Sequence, residues 1–350
     1  MGGISDFFNG KTILITGSTG FFGQPLVEKI LWASPQMRRI YLLIRPKKRL
    51  HGQILTPRQR LEKELFQSTA FDRLYSRYGD GIRAFLEEKL IPVGGDISHD
   101  DLGLDPQDRK RLQKELDIVI NSAAVVLFDA PIDQALEMNV FGAQRLARFA
   151  RSCDKAILCH ISTAYVCGAT NAEIPETFHH SAYDSPEQFP TRGFRNFGDD
   201  IQRMREIGER VCKASVSEEV DRELKRALLP GKKPRRTVRH LRRRDVLERL
   251  RRKWLREHLI EEGMKWARER GWNDTYTYTK ALGEQVVRRE VGDMPTVIMR
   301  PSVIESSLSE PSPGWLDGLR MADPLIVAIG KGRLKTLPLN PEVVIDLVPV

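Results

Sequence analysis

Apolar residues along the chain gather into six short runs, set between longer stretches in which they recur every three or four positions. The runs are Thr12 to Ile15, Ile40 to Ile44, Ile91 to Ile97 with its loop, Ile118 to Ala124, Ala156 to Ile161 and Thr296 to Met299. Runs this short and this uninterrupted fit strands buried on both faces, the pattern of a parallel sheet. The stretches between them read as helices: Gln24 to Ala33, two or three within Pro57 to Leu90, and Asp133 to Ser152. In the last, Ala135, Leu136, Val140, Ala143, Leu146, Ala147 and Ala150 share a face that Asn139 interrupts. Strands alternating with helices predict an α/β fold, a doubly wound parallel sheet with ligands at the carboxyl ends of its strands.

The first strand runs into Thr16-Gly17-Ser18-Thr19-Gly20-Phe21-Phe22-Gly23 and from there into a helix. Glycines let the backbone take conformations closed to other residues and approach a pyrophosphate, while a helix start presents free N–H groups to the anion. The spacing is Gly-x-x-Gly-x-x-Gly rather than the better-known Gly-x-Gly-x-x-Gly, and a plain glycine-rich turn is the alternative. The second strand ends in Arg45-Pro46-Lys47-Lys48-Arg49. An acid at that point would suit the ribose hydroxyl of NAD, whereas Arg45 with lysines beside it suits the extra phosphate of NADP; the alternative is a solvated basic turn. Asp96 is expected to face the adenine. Ser122, Ala123 and Ala124 are small enough for the backbone to lie against a cofactor or to pack tightly.

A chain of 350 residues, 41% of them hydrophobic, can bury a large core as one extended domain or two. No apolar run approaches the roughly 18 to 20 residues that cross a bilayer, and Met1 to Gly10 lacks the features of a secretion signal. Cys153, Cys159, Cys167 and Cys212 form no Cys-x-x-Cys pair, and the seven histidines show no metal-ligand spacing. Reduced thiols, no metal and a cytoplasmic location are the expectation. The net charge of +9 is concentrated: Lys225 to Arg256 carries 15 Lys and Arg against two acids, a local +13 that leaves −4 elsewhere. Val246, Leu247, Leu250, Trp254 and Leu255 form an apolar stripe among these arginines. Two readings stand level: a basic amphipathic helix in peripheral contact with an anionic membrane, or a helix packed on the protein's own core with its charges in water. Arginines gripping the phosphates of coenzyme A are a variant of the first. Nucleic-acid binding ranks below both, for want of a reading motif and of interleaved aromatics.

Tyr276-Thr277-Tyr278-Thr279-Lys280 opens a stretch of helical character through Arg289. In a helix Tyr276 and Lys280 share a face, and an ammonium beside a phenol favours phenolate, so the tyrosine can give or take a proton near neutral pH. An ordinary surface helix would explain this pair alone, but not together with a dinucleotide loop and Ser162-Thr163 at a strand end.

Together these residues resemble the extended short-chain dehydrogenase/reductase superfamily, and more closely the fatty acyl-CoA reductases of bacterial type. The resemblance runs through Lys11 to Ala169 and Trp272 to Val350, carried by TGSTGFFG, YLLIRPKKR, GGDIS, INSAA, ISTAYVCG, WNDTYTYTKALGEQ and RPSVIESSLSEPSPGW. It implies a Rossmann-type sheet and a catalytic set in which Tyr276 donates a proton, Lys280 holds the nicotinamide ribose and tunes Tyr276, and Thr163 bonds the substrate carbonyl oxygen, with Ser162 the weaker candidate for that role. It also implies that Gly17, Thr19, Gly20, Phe21, Phe22 and Gly23 cradle the pyrophosphate, Arg45 meets the 2′-phosphate, Asp96 and Ile97 border the adenine, and Ala123, Ala124 and Val125 approach the nicotinamide.

Two departures stand out. Residues 172–271, with the basic run, are not matched to the family residue by residue and read as a helical insertion within one NADP-binding domain, 1–350; the chain also ends where such reductases continue, so a fragment is expected. The expected activity is NADPH-dependent reduction of long-chain fatty acyl-CoA to fatty aldehyde or alcohol with release of coenzyme A. The rivals are a related reductase or epimerase acting on a free aldehyde or sugar nucleotide, and a catalytically idle NADP-binding, membrane-docking module.

Overall fold

The computed structural model describes residues 3–48, 52–169, 176, 196–227, 243–319, 322–337, 342 and 346–350. The chain divides into two compact units. The first comprises Met1–Ala124, Gly142–Ala164 and Val287–Val350; the second comprises Val125–Phe141 and Tyr165–Val286.

In the first unit, strands β1 (Thr12–Thr16), β2 (Arg39–Ile44), β3 (Leu90–Gly94), β4 (Ile118–Asn121), β5 (Ile157–Ile161) and β6 (Thr296–Met299) form one sheet in the order β3-β2-β1-β4-β5-β6. Every neighbouring pair is parallel. The doubly wound parallel sheet expected from the apolar runs is therefore present. All five residues of β1 are buried, which is why Ile13, Leu14 and Ile15 follow one another as an unbroken apolar run between Thr12 and Thr16 rather than alternating with polar residues. At the edge, β6 leaves Val297 and Met299 exposed. The strand order reverses between β1 and β4, where Thr16 lies beside Asn121, and such a reversal opens a crevice at the strands' carboxyl ends. Helix α1 (Gly23–Ala33) follows the glycine-rich loop and sets Val27, Ile30 and Leu31 into a core with Ile13, Ile15, Leu42 and Phe71.

The single helix expected over 133–152 is divided. An α-helical turn at Ile132–Ala135 passes into a π-helical stretch, Leu136–Gly142, before α2 (Ala143–Arg151) resumes regular geometry. Asn139 lies in the π stretch and is 2% exposed. Its Oδ1 accepts from the Val125 N–H at 2.9 Å, and its Nδ2 donates to the Val125 carbonyl at 3.1 Å and to Thr279 Oγ1 at 3.0 Å. The polar interruption noted in the sequence is thus a buried tie, and the extra residue of a π turn goes with it.

The second unit is largely helical, with α3 (Phe197–Ser215), α4 (Glu218–Ala227), α5 (Arg243–Glu269) and the first turns of α6 (Thr275–Val291). Met204, Ile207 and Val211 of α3, Leu259 of α5 and Tyr278 and Leu282 of α6 share one core, against which Trp254 and Leu255 of the basic stripe also pack. Residues 228–242 of the basic run lie outside the described residues. Among the described residues no helix is long and apolar enough to cross a membrane, and no cluster of His, Cys, Asp and Glu could hold a metal ion.

Candidate active site

In the first unit the glycine-rich loop is drawn against the end of β4. The Thr16 hydroxyl donates to Asn121 Oδ1 at 2.9 Å and accepts from the N–H groups of Ser122 and Ala123 at 3.2 and 3.1 Å. Asn121 Nδ2 meets His160 Nδ1 at 3.0 Å, so the carboxyl ends of β1, β4 and β5 are joined through side chains. Gly17 has φ +71, and a Cβ there would stand 2.7 Å from the Ser122 carbonyl carbon. A Cβ on Gly23 would stand 2.2 Å from the Gly17 carbonyl oxygen, so helix and loop meet backbone to backbone. At the start of α1 no side chain caps the helix and the first turn holds no acid that would repel an anion, while the Gln24 and Leu26 N–H groups close the turn on the Gly20 and Phe22 carbonyls at 3.1 and 3.2 Å. These features fit a dinucleotide pyrophosphate.

Arg45, just beyond β2, is exposed, and its Nη1 lies 3.8 Å from Asp96 Oδ2. Asp96 is fixed by its own turn, accepting from Ser98 N–H through Oδ1 at 3.0 Å, while Ile97 is buried. Sequence reading missed Arg60. This guanidinium, 8% exposed, donates to the Arg45 carbonyl at 2.8 Å and to Thr19 Oγ1 at 3.0 Å, bridging the glycine-rich loop and the basic strand end. The signal was there in Thr56-Pro57-Arg58-Gln59, a capping box with proline at the first helical position, which sets Arg60 one turn into a helix.

Thr163 also belongs to the first unit and is 4% exposed. Backbone bonds on either side, Ser162 N–H to the Met299 carbonyl at 2.7 Å and Ala164 N–H to the Pro301 carbonyl at 2.8 Å, hold it at the end of β5. Beside it the Ser162 hydroxyl is buried without a hydrogen-bond partner among the described residues.

In the second unit Tyr276 and Lys280 stand one turn apart on α6. The helix begins where Asp274 Oδ1 accepts from Thr277 N–H at 2.7 Å. Lys280 is 2% exposed, and burial pulls its ammonium down from 10.5 to about 8, with the Glu284 carboxylate one turn on acting in the opposite sense. Tyr276 is half-buried and its ring meets the edge of Phe128, with centroids 6.0 Å apart. Two residues on, Tyr278 points about 200° around the helix into the core and is 0% exposed, so of the two tyrosines only Tyr276 is reached by solvent. Beside Val125, which Asn139 clamps, the next three residues leave apolar surface in solvent: Val126 is 60%, Leu127 55% and Phe128 43% exposed. Cys167 is buried at the end of the turn Ala164–Cys167. The candidate residues thus fall into two sets, with the loop, Arg45, Asp96, Ile97, Ala123, Ala124 and Thr163 in the first unit and Val125, Tyr276 and Lys280 in the second. A cavity of about 420 Å³ in the second unit, between α3 and α5 and lined by Arg203, Arg210, Trp266 and Arg270, touches none of them.

The sequence profile of the male sterility protein family matches residues 15–350. Fatty acyl-CoA reductase 2, chloroplastic, of Arabidopsis thaliana is 36% identical over 99% of this chain and 50% of its own length. The alcohol-forming fatty acyl-CoA reductase of Simmondsia chinensis is 33% identical over 100% of this chain and 62% of its own. The chain therefore spans between half and two-thirds of the length of these curated relatives. Among solved structures, the terminal reductase domain of the myxalamid biosynthetic pathway aligns with 85% of this chain and 50% of its own, at 21% identity and a TM-score of 0.48.

Proposed function

This chain belongs to the male sterility protein family, and on that premise we propose that it reduces fatty acyl-CoA thioesters, with NADPH as the source of hydride. The observation that carries the reading is Lys280, a cation kept out of water one turn from the half-buried Tyr276. A buried lysine is costly and is retained where its charge acts on a neighbour. The names of the relatives from Arabidopsis and Simmondsia support the substrate class.

When bound, the reduced nicotinamide supplies a hydride to the thioester carbonyl carbon. Thr163 donates a hydrogen bond to the carbonyl oxygen as negative charge gathers there, and Tyr276 gives that oxygen its proton. The Lys280 charge stabilises the phenolate that remains. The resulting hemithioacetal breaks its C–S bond; the electron pair leaves on sulfur, which takes a proton as the hydroxyl loses one, and aldehyde and coenzyme A separate. A second hydride and proton would give the alcohol. Gly17, Thr19, Gly20 and Gly23 with the start of α1 would hold the pyrophosphate, and Arg45, with its exposed guanidinium, the 2′-phosphate.

Val126, Leu127 and Phe128 offer an apolar edge beside Tyr276, suited to an acyl chain and unsuited to the many hydroxyls of a sugar nucleotide. The domain reading is one NADP-binding reductase domain with 172–271 inserted. Peripheral membrane contact through Lys225–Arg256 would use the charges of that segment with Val246, Leu247 and Leu250, since Trp254 and Leu255 are engaged by the core of the second unit.

The deciding experiment is NADPH oxidation dependent on a long-chain acyl-CoA, with products analysed for aldehyde, alcohol and free thiol. Binding of NADPH with no turnover of any acyl-CoA, or turnover of a free aldehyde alone, would refute the proposal.

A further inference from the structure

Beyond β6 the chain of the first unit turns back to α1, where three attachments tie residues 307–317 to the glycine-rich loop and the helix behind it. The first is aromatic. The Trp315 ring lies flat on Phe21 of the loop, with centroids 5.5 Å apart and planes 2° from parallel. Trp315 is 6% exposed and its Nε1–H donates to Thr69 Oγ1 at 3.0 Å, so the ring is held by edge as well as face. The second is polar. Gln24, in the first turn of α1, donates from Nε2 to Asp317 Oδ2 at 2.9 Å and to the Thr19 carbonyl at 3.4 Å. The third is ionic. Arg73 grips the fully buried Glu28 through bonds of 2.6 and 2.7 Å and reaches Glu310 at 2.8 Å, where Lys29 also binds.

The segment making these contacts is itself closed. Gly314 N–H donates to the Ser307 carbonyl at 2.9 Å, and Trp315 N–H donates to the Ser307 hydroxyl at 2.9 Å. A closed turn therefore rests on Phe21 within the loop, on Gln24 at the helix start and on Lys29 one turn further, and is joined to Glu28 through Arg73. The loop it touches is poor in order of its own, because glycines lose the most conformational freedom when fixed. The fraction of molecules with that loop correctly set scales the apparent affinity for anything the loop binds.

We propose that residues 307–317 act as a latch that preorganises the glycine-rich loop for the pyrophosphate of the nicotinamide cofactor, with Trp315 and Asp317 as positioning residues. The inference rests on the cofactor reading of that loop given above.

The test is calorimetric titration of the whole chain with NADPH, together with amide hydrogen exchange. Trp315→Ala is expected to raise the NADPH Kd by about 3- to 10-fold, the range a stacked aromatic pair supplies. Trp315→Phe, which keeps a ring on Phe21, is expected to restore most of the affinity. By reciprocity of linkage, NADPH should slow exchange across 307–317 in the unmodified protein and do so less in Trp315→Ala. A tryptophan that only filled the core would lower stability without making exchange at 307–317 depend on NADPH. An unchanged Kd in Trp315→Ala, with exchange at 307–317 indifferent to NADPH, overturns the inference. If Trp315→Ala does not fold, exchange in the unmodified protein and the Kd of Trp315→Phe decide, and indifference to NADPH at 307–317 again overturns it. Failure of the unmodified protein to bind NADPH or NADH would instead remove the cofactor reading.

Discussion

Replacing Lys280 by methionine should flatten the pH dependence of stability in a defined window. Burial lowers the folded ammonium from 10.5 to about 8, so between those values the unfolded chain binds a proton that the folded chain does not. Stability must rise with pH wherever the unfolded state holds more protons, so the unmodified protein gains stability through this window and Lys280→Met does not. Lowering the value from 10.5 to about 8 corresponds to about 3 kcal/mol of penalty near neutral pH, of which about 2 kcal/mol should be recovered by about pH 9.5. Urea unfolding of both proteins at the two pH values supplies the measurement, and the readout is the change in their difference, in which groups common to both cancel.

Absolute stability at neutral pH is a poorer readout. Lys280→Met relieves a buried cation but leaves Glu284, 3% exposed, without the charge that faces it. Adding Glu284→Gln removes that complication, and the double variant should show the same flat profile. Parallel profiles for the unmodified protein and Lys280→Met, with their difference constant to within about 0.5 kcal/mol, would sink the claim that Lys280 is a desolvated, titrating group. On the proposed mechanism the loss of turnover expected in the same variant has a physical origin: the charge that costs stability is the one that would favour the Tyr276 phenolate.

Tyr276→Phe should lower acyl-CoA turnover by a factor of about 10² to 10⁴ with NADPH affinity nearly intact, whereas Tyr278→Phe, altering a core side chain, should be read in stability; the reverse assignment in steady-state kinetics would refute the pairing. Arg45→Asp should weaken NADPH much more than NADH in direct titrations, and equal affinities of the unmodified protein for the two cofactors would contradict the role of Arg45. Thr163→Ala should cost roughly 3 to 4 kcal/mol of transition-state stabilisation, as loss of an oxyanion donor does at comparable sites, while Cys167→Ala, at a buried thiol, should keep most of its activity. An acyl thioester trapped on Cys167 would replace direct hydride transfer with a covalent route.

What could be read from the sequence divides along a physical line. The strands of the central sheet were legible because burial on both faces favours unbroken apolar runs, of which Ile13, Leu14 and Ile15 in β1, each 0% exposed, are the extreme case. The tight glycine-rich turn was legible for a related reason: Gly17 and Gly23 sit where any Cβ would meet backbone, so the residue type records the geometry. Tyr276 and Lys280 needed only a helical period. For Gly23 and for the Tyr276–Lys280 spacing the cause lies within a few residues of its effect, while Gly17 records in its residue type the close approach of the distant Ser122 backbone.

The remainder is non-local, and a single sequence carries no mark of its partners. Asn139 was visible as a polar flaw on an apolar face, but its use depends on Thr279, 140 residues away. Arg60 was not singled out in the sequence, and only its bonds to Thr19 and the Arg45 carbonyl show that it bridges the two ends of the expected cofactor site. The tie from Gln24 to Asp317 spans 293 residues, joining the start of α1 to a segment that sequence reading could place only by resemblance. These buried polar groups set loops rather than fill a core, and that is why periodicity could not find them: hydrophobic period reports which face is dry, whereas the position of a phosphate loop is settled by a few hydrogen bonds whose partners the fold alone brings together.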